Sequence, residues 1–246
     1  MKISTLTLAT VATLLAGTAG AQTYTVKVGG AYIVPNATSS DFSGQLPNGY
    51  ATRSGVNLEV QAKATLMFSI ERAINDNFGV ELVMGLPPKH DVKLKVSDAT
   101  RAAAANTSNP YHALDQHFVD FADQKVATVK QMAPTLFFNY KFGEASAHCR
   151  PYLGLGINYT KMDADLTTTG EALYNGVPMT QKLTSSIAPA VQAGVTYKID
   201  KTWSVNMGLV STFVSSNLTV SGNGYTHTAK FDFTPTVYTA SVGYSF

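Results

Sequence analysis

Val56-Asn57-Leu58-Glu59-Val60-Gln61-Ala62-Lys63-Ala64-Thr65-Leu66-Met67-Phe68-Ser69-Ile70 alternates without a break. Its even positions are all apolar, while its odd positions carry Asn57, Glu59, Gln61, Lys63, Thr65 and Ser69, with Met67 as the exception. Side chains of a β-strand point alternately to opposite faces, so the stretch predicts one long strand with an apolar face and a polar face. Ala73-Ile74-Asn75-Asp76-Asn77 then signals a tight turn. Beyond it the pattern resumes, with Phe78, Val80, Leu82, Met84 and Leu86 on one face and Gly79, Glu81, Val83 and Gly85 on the other.

The same alternation recurs over Gln131–Phe142, Pro151–Thr160, Ile187–Ile199 and Trp203–Leu209. An opening strand at Tyr24–Val34 and a closing strand from about Ala229 to Phe246 complete eight. In the closing strand the apolar residues change parity, from Phe231 and Phe233 to Tyr238 and Val242. With Pro235 beside the change, a bulge or kink is expected there.

The connections also alternate. Those at 73–77, 143–150 and 200–202 are short, and those at about 35–55, 87–128, 161–186 and 215–228 are long. Short turns at one end and long loops at the other imply an all-β fold: an eight-stranded antiparallel transmembrane β-barrel with short periplasmic turns and long extracellular loops. A secreted sandwich or lipocalin-like barrel would turn its apolar face inward. Against that, aromatics crowd the strand ends (Tyr24, Phe78, Tyr140, Trp203, Tyr244 among them), as an interfacial girdle does. The opposite faces are rich in Gly, Ala, Thr and Asn and poor in charge, which suits a tight interior.

Met1 and Lys2, the apolar run Ile3–Ala16 and the small residues Ala19-Gly20-Ala21 read as a secretory signal peptide, 1–21, ahead of a barrel domain, 22–246. Charged residues are 14% and net charge is +2, with no basic run, so nucleic acid is not an expected partner. Cys149 is the sole cysteine, expected as a turn residue, and a closed hydrogen-bonded barrel replaces disulfides as the means of holding the chain together. The polar faces carry Glu59, Lys63, Glu71, Glu81, Lys141 and Lys198. Buried charges need partners, so these six are expected to pair and plug the barrel interior.

The end of the chain, Tyr238, Val242, Tyr244 and Phe246, resembles the carboxy-terminal signal read by the bacterial barrel-assembly machinery. Several stretches resemble the outer membrane protein W family of small barrels. They are Asn75–Leu82, Leu86-Pro87-Pro88-Lys89-His90-Asp91, Ala133–Leu136 and, most specifically, Arg150-Pro151-Tyr152-Leu153-Gly154-Leu155-Gly156-Ile157-Asn158-Tyr159-Thr160. The family usually has a single bulky residue where Pro88 stands.

The resemblance implies residence in the bacterial outer membrane, among its lipid and lipopolysaccharide. It also implies passive movement of small apolar solutes through a loop-lined pocket with sideways release into the bilayer. Leu86, Pro87 and Pro88 are the expected lateral opening, because proline lacks the N–H that pairing needs. In the loop 87–128, Ala99–Ala105 is helix-prone, and Asn109-Pro110 reads as a second helix start. Tyr111, Leu114, Phe118 and Phe121 then share a face and are expected to line the pocket.

His90, His112, His117, His148 and His227 are expected at the surface or in loops, and Lys89-His90-Asp91 as a solvated strand extension. No catalytic residue, metal or cofactor is assigned. A lipid-modifying barrel enzyme needs a Ser activated by His, and no histidine has a Ser two positions on. A structural or adhesion and phage-receptor barrel without transport is the main alternative. Nothing in the sequence sets an oligomeric state.

Overall fold

A computed structural model of the chain describes residues 24–45 and 54–246; the expected signal peptide lies outside the described residues. The chain climbs in β1 (Tyr24–Val34), adds β2 (Ser43–Gln45) and β3 (Val56–Val60) above, and descends in β4 (Lys63–Ala73). It climbs again in β5 (Phe78–Gly85) and continues upward in β6 (Lys89–Val96). Helices α1 (Asp98–Ala105) and α2 (His112–Asp120) follow, then β7 (Lys125–Met132) and the descending β8 (Thr135–Lys141). β9 (Cys149–Leu166) runs through both levels, α3 (Thr168–Leu173) and β10 (Thr180–Leu183) lie on top, and β11 (Ser186–Lys198) returns. The last excursion is β12 (Trp203–Thr212), β13 (Val214–Gly222), β14 (Tyr225–Phe233) and β15 (Thr236–Ser245).

Eight strands close the lower level in the order β11-β12-β15-β1-β4-β5-β8-β9, and β9 pairs back onto β11. Every pairing in the wall is antiparallel, so no edge is open to hydrocarbon. The ends of the chain meet there: Tyr24 N donates to Phe246 O and Phe246 N to Tyr24 O, both at 2.9 Å. The short turns are set by single side chains. Asn75 Oδ1 accepts from the backbone N–H of Asn77 and Phe78, and Asp200 Oδ1 does the same for Thr202 and Trp203. Cys149 is exposed and starts β9 rather than sitting in the turn before it.

The described parts of the four long connections are not irregular loops. They build an upper tier of two sheets, one of β3, β6, β7 and the top of β9, the other of β10, β13, β14 and β2. The segment 37–42 stitches them, with Ser39 N donating to Leu58 O and Ser40 N to Lys230 O. Their inner faces form the hydrophobic core, including Leu58, Val92, Leu94, Leu218, Val220 and Phe231.

The wall inverts its polarity between tiers. In the lower tier the apolar residues point outward and remain exposed, as with Leu153, Leu155, Ile157 and Met207, which is the arrangement lipid requires. In the upper tier they point inward, with charges outside. β9 makes the change while running straight: even positions face in throughout, but Asn158 and Thr160 give way to Met162 and Leu166. The closing strands do likewise, since odd positions face in on β14 and on β15. The expected bulge at Pro235 is therefore not what changes the parity; the environment outside the wall is.

Elsewhere the backbone turns over instead. The stretch 56–70 is two strands, broken at Gln61-Ala62. Val56, Leu58 and Val60 face in, whereas Leu66, Phe68 and Ile70 face out, with Met67, Ser69 and Glu71 buried between them. The same reversal occurs between β5 and β6, across Leu86-Pro87-Pro88.

Candidate functional site

The upper tier encloses a void of about 930 Å³, its open mouth included. Both sheets line it with apolar side chains, among them Phe42, Leu58, Val92, Leu218 and Phe231. A second void of about 720 Å³ lies in the top of the barrel, and Ile33, Gln131 and Pro235 border both. The two are stacked one above the other. Phe137, almost fully buried, borders the lower void near its floor. Gly156 makes room for it, because a Cβ there would stand 2.6 Å from the Phe137 ring.

Below Phe137 the barrel is closed by charge. Lys27 Nζ lies 2.9 Å from both Glu71 and Glu81, and Lys141 Nζ lies 2.7 Å from Glu71. Glu81 also accepts from Ser69 Oγ at 2.6 Å, Asn139 Nδ2 at 2.9 Å and Gln192 Nε2 at 3.2 Å. Two cations meet two carboxylates, Glu71 through its ion pairs alone and Glu81 with side-chain hydrogen bonds added, and buried charge is tolerated only when paired in this way. Tyr152 completes the layer with its ring 5.9 Å from Lys27 Nζ. Gly194 leaves space for that ring, a Cβ there falling 2.6 Å from the phenol oxygen. This explains the Tyr152-Leu153-Gly154-Leu155-Gly156 pattern: Tyr152 and the glycines face in, and the leucines face lipid.

The wall beside the lower void has a gap. The β5–β8 ladder ends at Val83↔Thr135, and the β6–β7 ladder begins at Lys89↔Lys130. Between them Met84–Pro88 faces Gln131–Pro134, bridged by Gln131 N donating to Pro88 O at 3.1 Å. Pro87, Pro88 and Pro134 have no N–H with which to close it. Met84, Gly85 and Pro88 on one side, and Gln131, Ala133 and Thr135 on the other, line the void itself. Toward β4 the wall is sealed, with Leu86 N donating to Leu66 O at 2.9 Å and Thr65 Oγ1 to Leu86 O at 2.6 Å.

The structure sorts the expected residues. Glu71, Glu81 and Lys141 are in the plug. Glu59 is not: it lies on β3 in the upper tier, half-exposed, paired with Lys95 at 2.9 Å where water borders the outer face. Lys63 is exposed at the top of β4. Lys198 is at the foot of β11, donating to the Ala145 carbonyl of a periplasmic turn. The plug members missed were Lys27, Ser69, Asn139 and Gln192. Their signal was present: each sits on the inward parity of a wall strand, and Lys27 is the one charge within β1.

Leu86 and Pro87 are exposed at the gap and Pro88 borders the void. Leu114 and Phe118 are on α2 and Phe121 caps its C-terminal end, but none of them borders either void. They pack into the core that holds the pocket wall, Phe118 almost fully buried and the other two partly so. α2 begins at His112 after Tyr111, two residues later than expected, and Asn109 Oδ1 accepts from the Tyr111 N–H at 3.1 Å in the turn that leads into it. Asn109 also ties the two helices, donating to Ala103 O and Asp115 Oδ2, both at 3.0 Å. Tyr238, Val242 and Tyr244 form the exposed outer face of β15, and Phe246 follows on the same side just past its end. Trp203 packs edge-on against Tyr244 at 5.0 Å in the lower aromatic girdle.

Two histidines correct the surface reading. His90 and His227 are each 2% exposed, because β6 and β14 turn their inward parity to the apolar core. His227 Nδ1 lies 3.1 Å from the Tyr174 hydroxyl, and burial pushes its pKa down to about 4. Burial raises the Tyr174 phenol well above the usual tyrosine value. Among the described residues no group of three or more His, Cys, Asp or Glu is placed to hold a metal ion.

The OmpW family model matches residues 20–246. The chain is 29% identical over 253 residues to outer membrane protein W of Escherichia coli K12, covering all of both chains. It is similar to the crystal structure of outer membrane protein OprG from Pseudomonas aeruginosa: TM-score 0.73, 26% identity, 92% of this chain and 96% of that one. The solid-state NMR structure of outer membrane protein AlkL in lipid bilayers has a similar fold, with TM-score 0.58, 16% identity and 94% of each chain covered. The chain belongs to the OmpW family, whose members are outer-membrane β-barrels of Gram-negative bacteria.

Proposed function

We propose that this OmpW-family barrel carries small apolar molecules passively into the outer membrane. The solute enters the upper void from outside, passes Ile33, Gln131 and Pro235 into the lower void, and leaves sideways through the seam at Leu86–Pro88. The observation that carries this reading is the pairing of two stacked apolar voids with a closed charged floor and an unpaired wall. A solute with no hydrogen-bonding groups gains nothing from the Lys27–Glu71–Glu81 layer and would have to break it to pass. At the seam it meets hydrocarbon directly.

The proposal makes the seam testable. Pro87→Val with Pro88→Thr restores two N–H donors and lets the strands zip toward β8. Apolar uptake across a lipopolysaccharide-bearing membrane is expected to fall toward the protein-free rate, with new amide protection at both positions. Full uptake through a zipped seam would rule out this route. Uptake absent even in the wild type would favour a structural or adhesion barrel.

A further inference from the structure

His90 is a polar exception in the lining of the upper void. Its Nδ1 lies 2.9 Å from the Gln61 carbonyl oxygen. A carbonyl only accepts, so Nδ1 carries the proton and Nε2 of the neutral ring is a bare acceptor. Burial holds the pKa of the ring below the usual histidine value, which keeps it neutral at physiological pH. Nε2 is buried and has no hydrogen-bond partner within the protein. The Gln131 carboxamide stands beside the ring, close enough to oppose the effect of burial on its pKa but not in hydrogen-bond geometry with Nε2, and it borders both voids.

A buried acceptor left unmade loses its hydration for nothing in return. The ring that carries it lines the upper void, at the level where the two voids meet. We infer that His90 Nε2 receives a hydrogen bond from the ligand, so that the pocket selects apolar molecules bearing one O–H or N–H donor, such as a medium-chain alcohol or a phenol. The donor sits against His90 and Gln131. The apolar body lies along Leu58, Val92 and Phe231. Since Gln131 also holds the Pro88 carbonyl, the head of the ligand is anchored beside the seam. The inference rests on the ligand route proposed above and names the chemistry it prefers.

Nonanol and nonane are the probes, titrated into the protein in lipid nanodiscs against empty nanodiscs, with folding checked by heat-modifiable gel migration. NMR of isotope-labelled histidine follows the ring nitrogens. Nonanol is expected to shift the His90 Nε2 resonance as it accepts a hydrogen bond, and nonane is not. The nonanol-to-nonane affinity ratio is expected to drop roughly two- to tenfold in His90→Leu, the worth of one net hydrogen bond. His90→Gln, which retains an acceptor, is expected to keep most of the ratio. If both probes bind and the ratio is the same in wild type and His90→Leu, the assignment of His90 is wrong and the route stands. If neither probe binds the wild type, both fail.

Discussion

The membrane tier and the upper tier share strands, and β9 shows the contrast in one piece. Along its lower half Leu153, Leu155 and Ile157 point out while Tyr152 and Asn158 point in; along its upper half Lys161, Asp163 and Asp165 point out while Met162 and Leu166 point in. Backbone, period and orientation are the same in both halves. Only what lies outside the wall differs, lipid below and water above. Period two identifies a strand, but the outer solvent decides which face is apolar. The inversion also creates the site. The inward apolar face of the upper tier lines the upper void, and the inward polar face of the lower tier builds the plug.

The contrast can be broken at several points. The largest effect is expected at the plug. Lys27→Ala leaves Glu71 and Glu81 buried without their central cation, at a cost of about 3–5 kcal/mol in denaturant unfolding from lipid vesicles. A loss near zero would mean that the plug is hydrated. Next comes a pair on the outer face of β9. Leu155→Arg puts a charge into hydrocarbon and is expected to cost about 2–4 kcal/mol. Asp165→Arg, on the same face ten residues higher, is expected to stay within about 0.5 kcal/mol of wild type. Equal costs would move the bilayer boundary.

A smaller, local effect belongs to His227. Its pKa is about 4 in the folded chain, against about 6.5 in an unfolded one. The unfolded state therefore binds more protons between these values, and the contribution of His227 to stability is whole above pH ~6.5 and lost as pH falls toward ~4. Hydrogen exchange around Tyr174 and Val220 should quicken over that window, with the membrane tier unchanged. His227→Phe should flatten the response. A response that survives the substitution assigns it to another group.

Much of the lower tier was legible from alternation, turn chemistry and connection lengths, because each wall strand carries its own pattern. The upper tier was not. Its strands pair with partners far away in sequence: β2 meets β14, joining Gly44 to His227. A short polar-apolar run such as Lys89–Val96 also does not say whether its apolar face meets lipid or a core. That ambiguity placed Glu59 in the plug, since Val56–Ile70 keeps one parity while its backbone turns over at Gln61-Ala62. It also put His90 in solvent. The gap at Pro87 and Pro88 was readable from chemistry alone, whereas Pro134 on the opposite side needed the register.

The most direct measurement compares two solutes of matched size, one apolar and one hydrophilic, crossing vesicles whose outer leaflet carries lipopolysaccharide, with and without this protein. The proposed route predicts faster entry of the apolar solute alone, with the Lys27–Glu71–Glu81–Lys141 layer keeping water out and the seam releasing the solute to lipid. Equal acceleration of the hydrophilic solute would contradict it, since that requires an open pore through the charged layer.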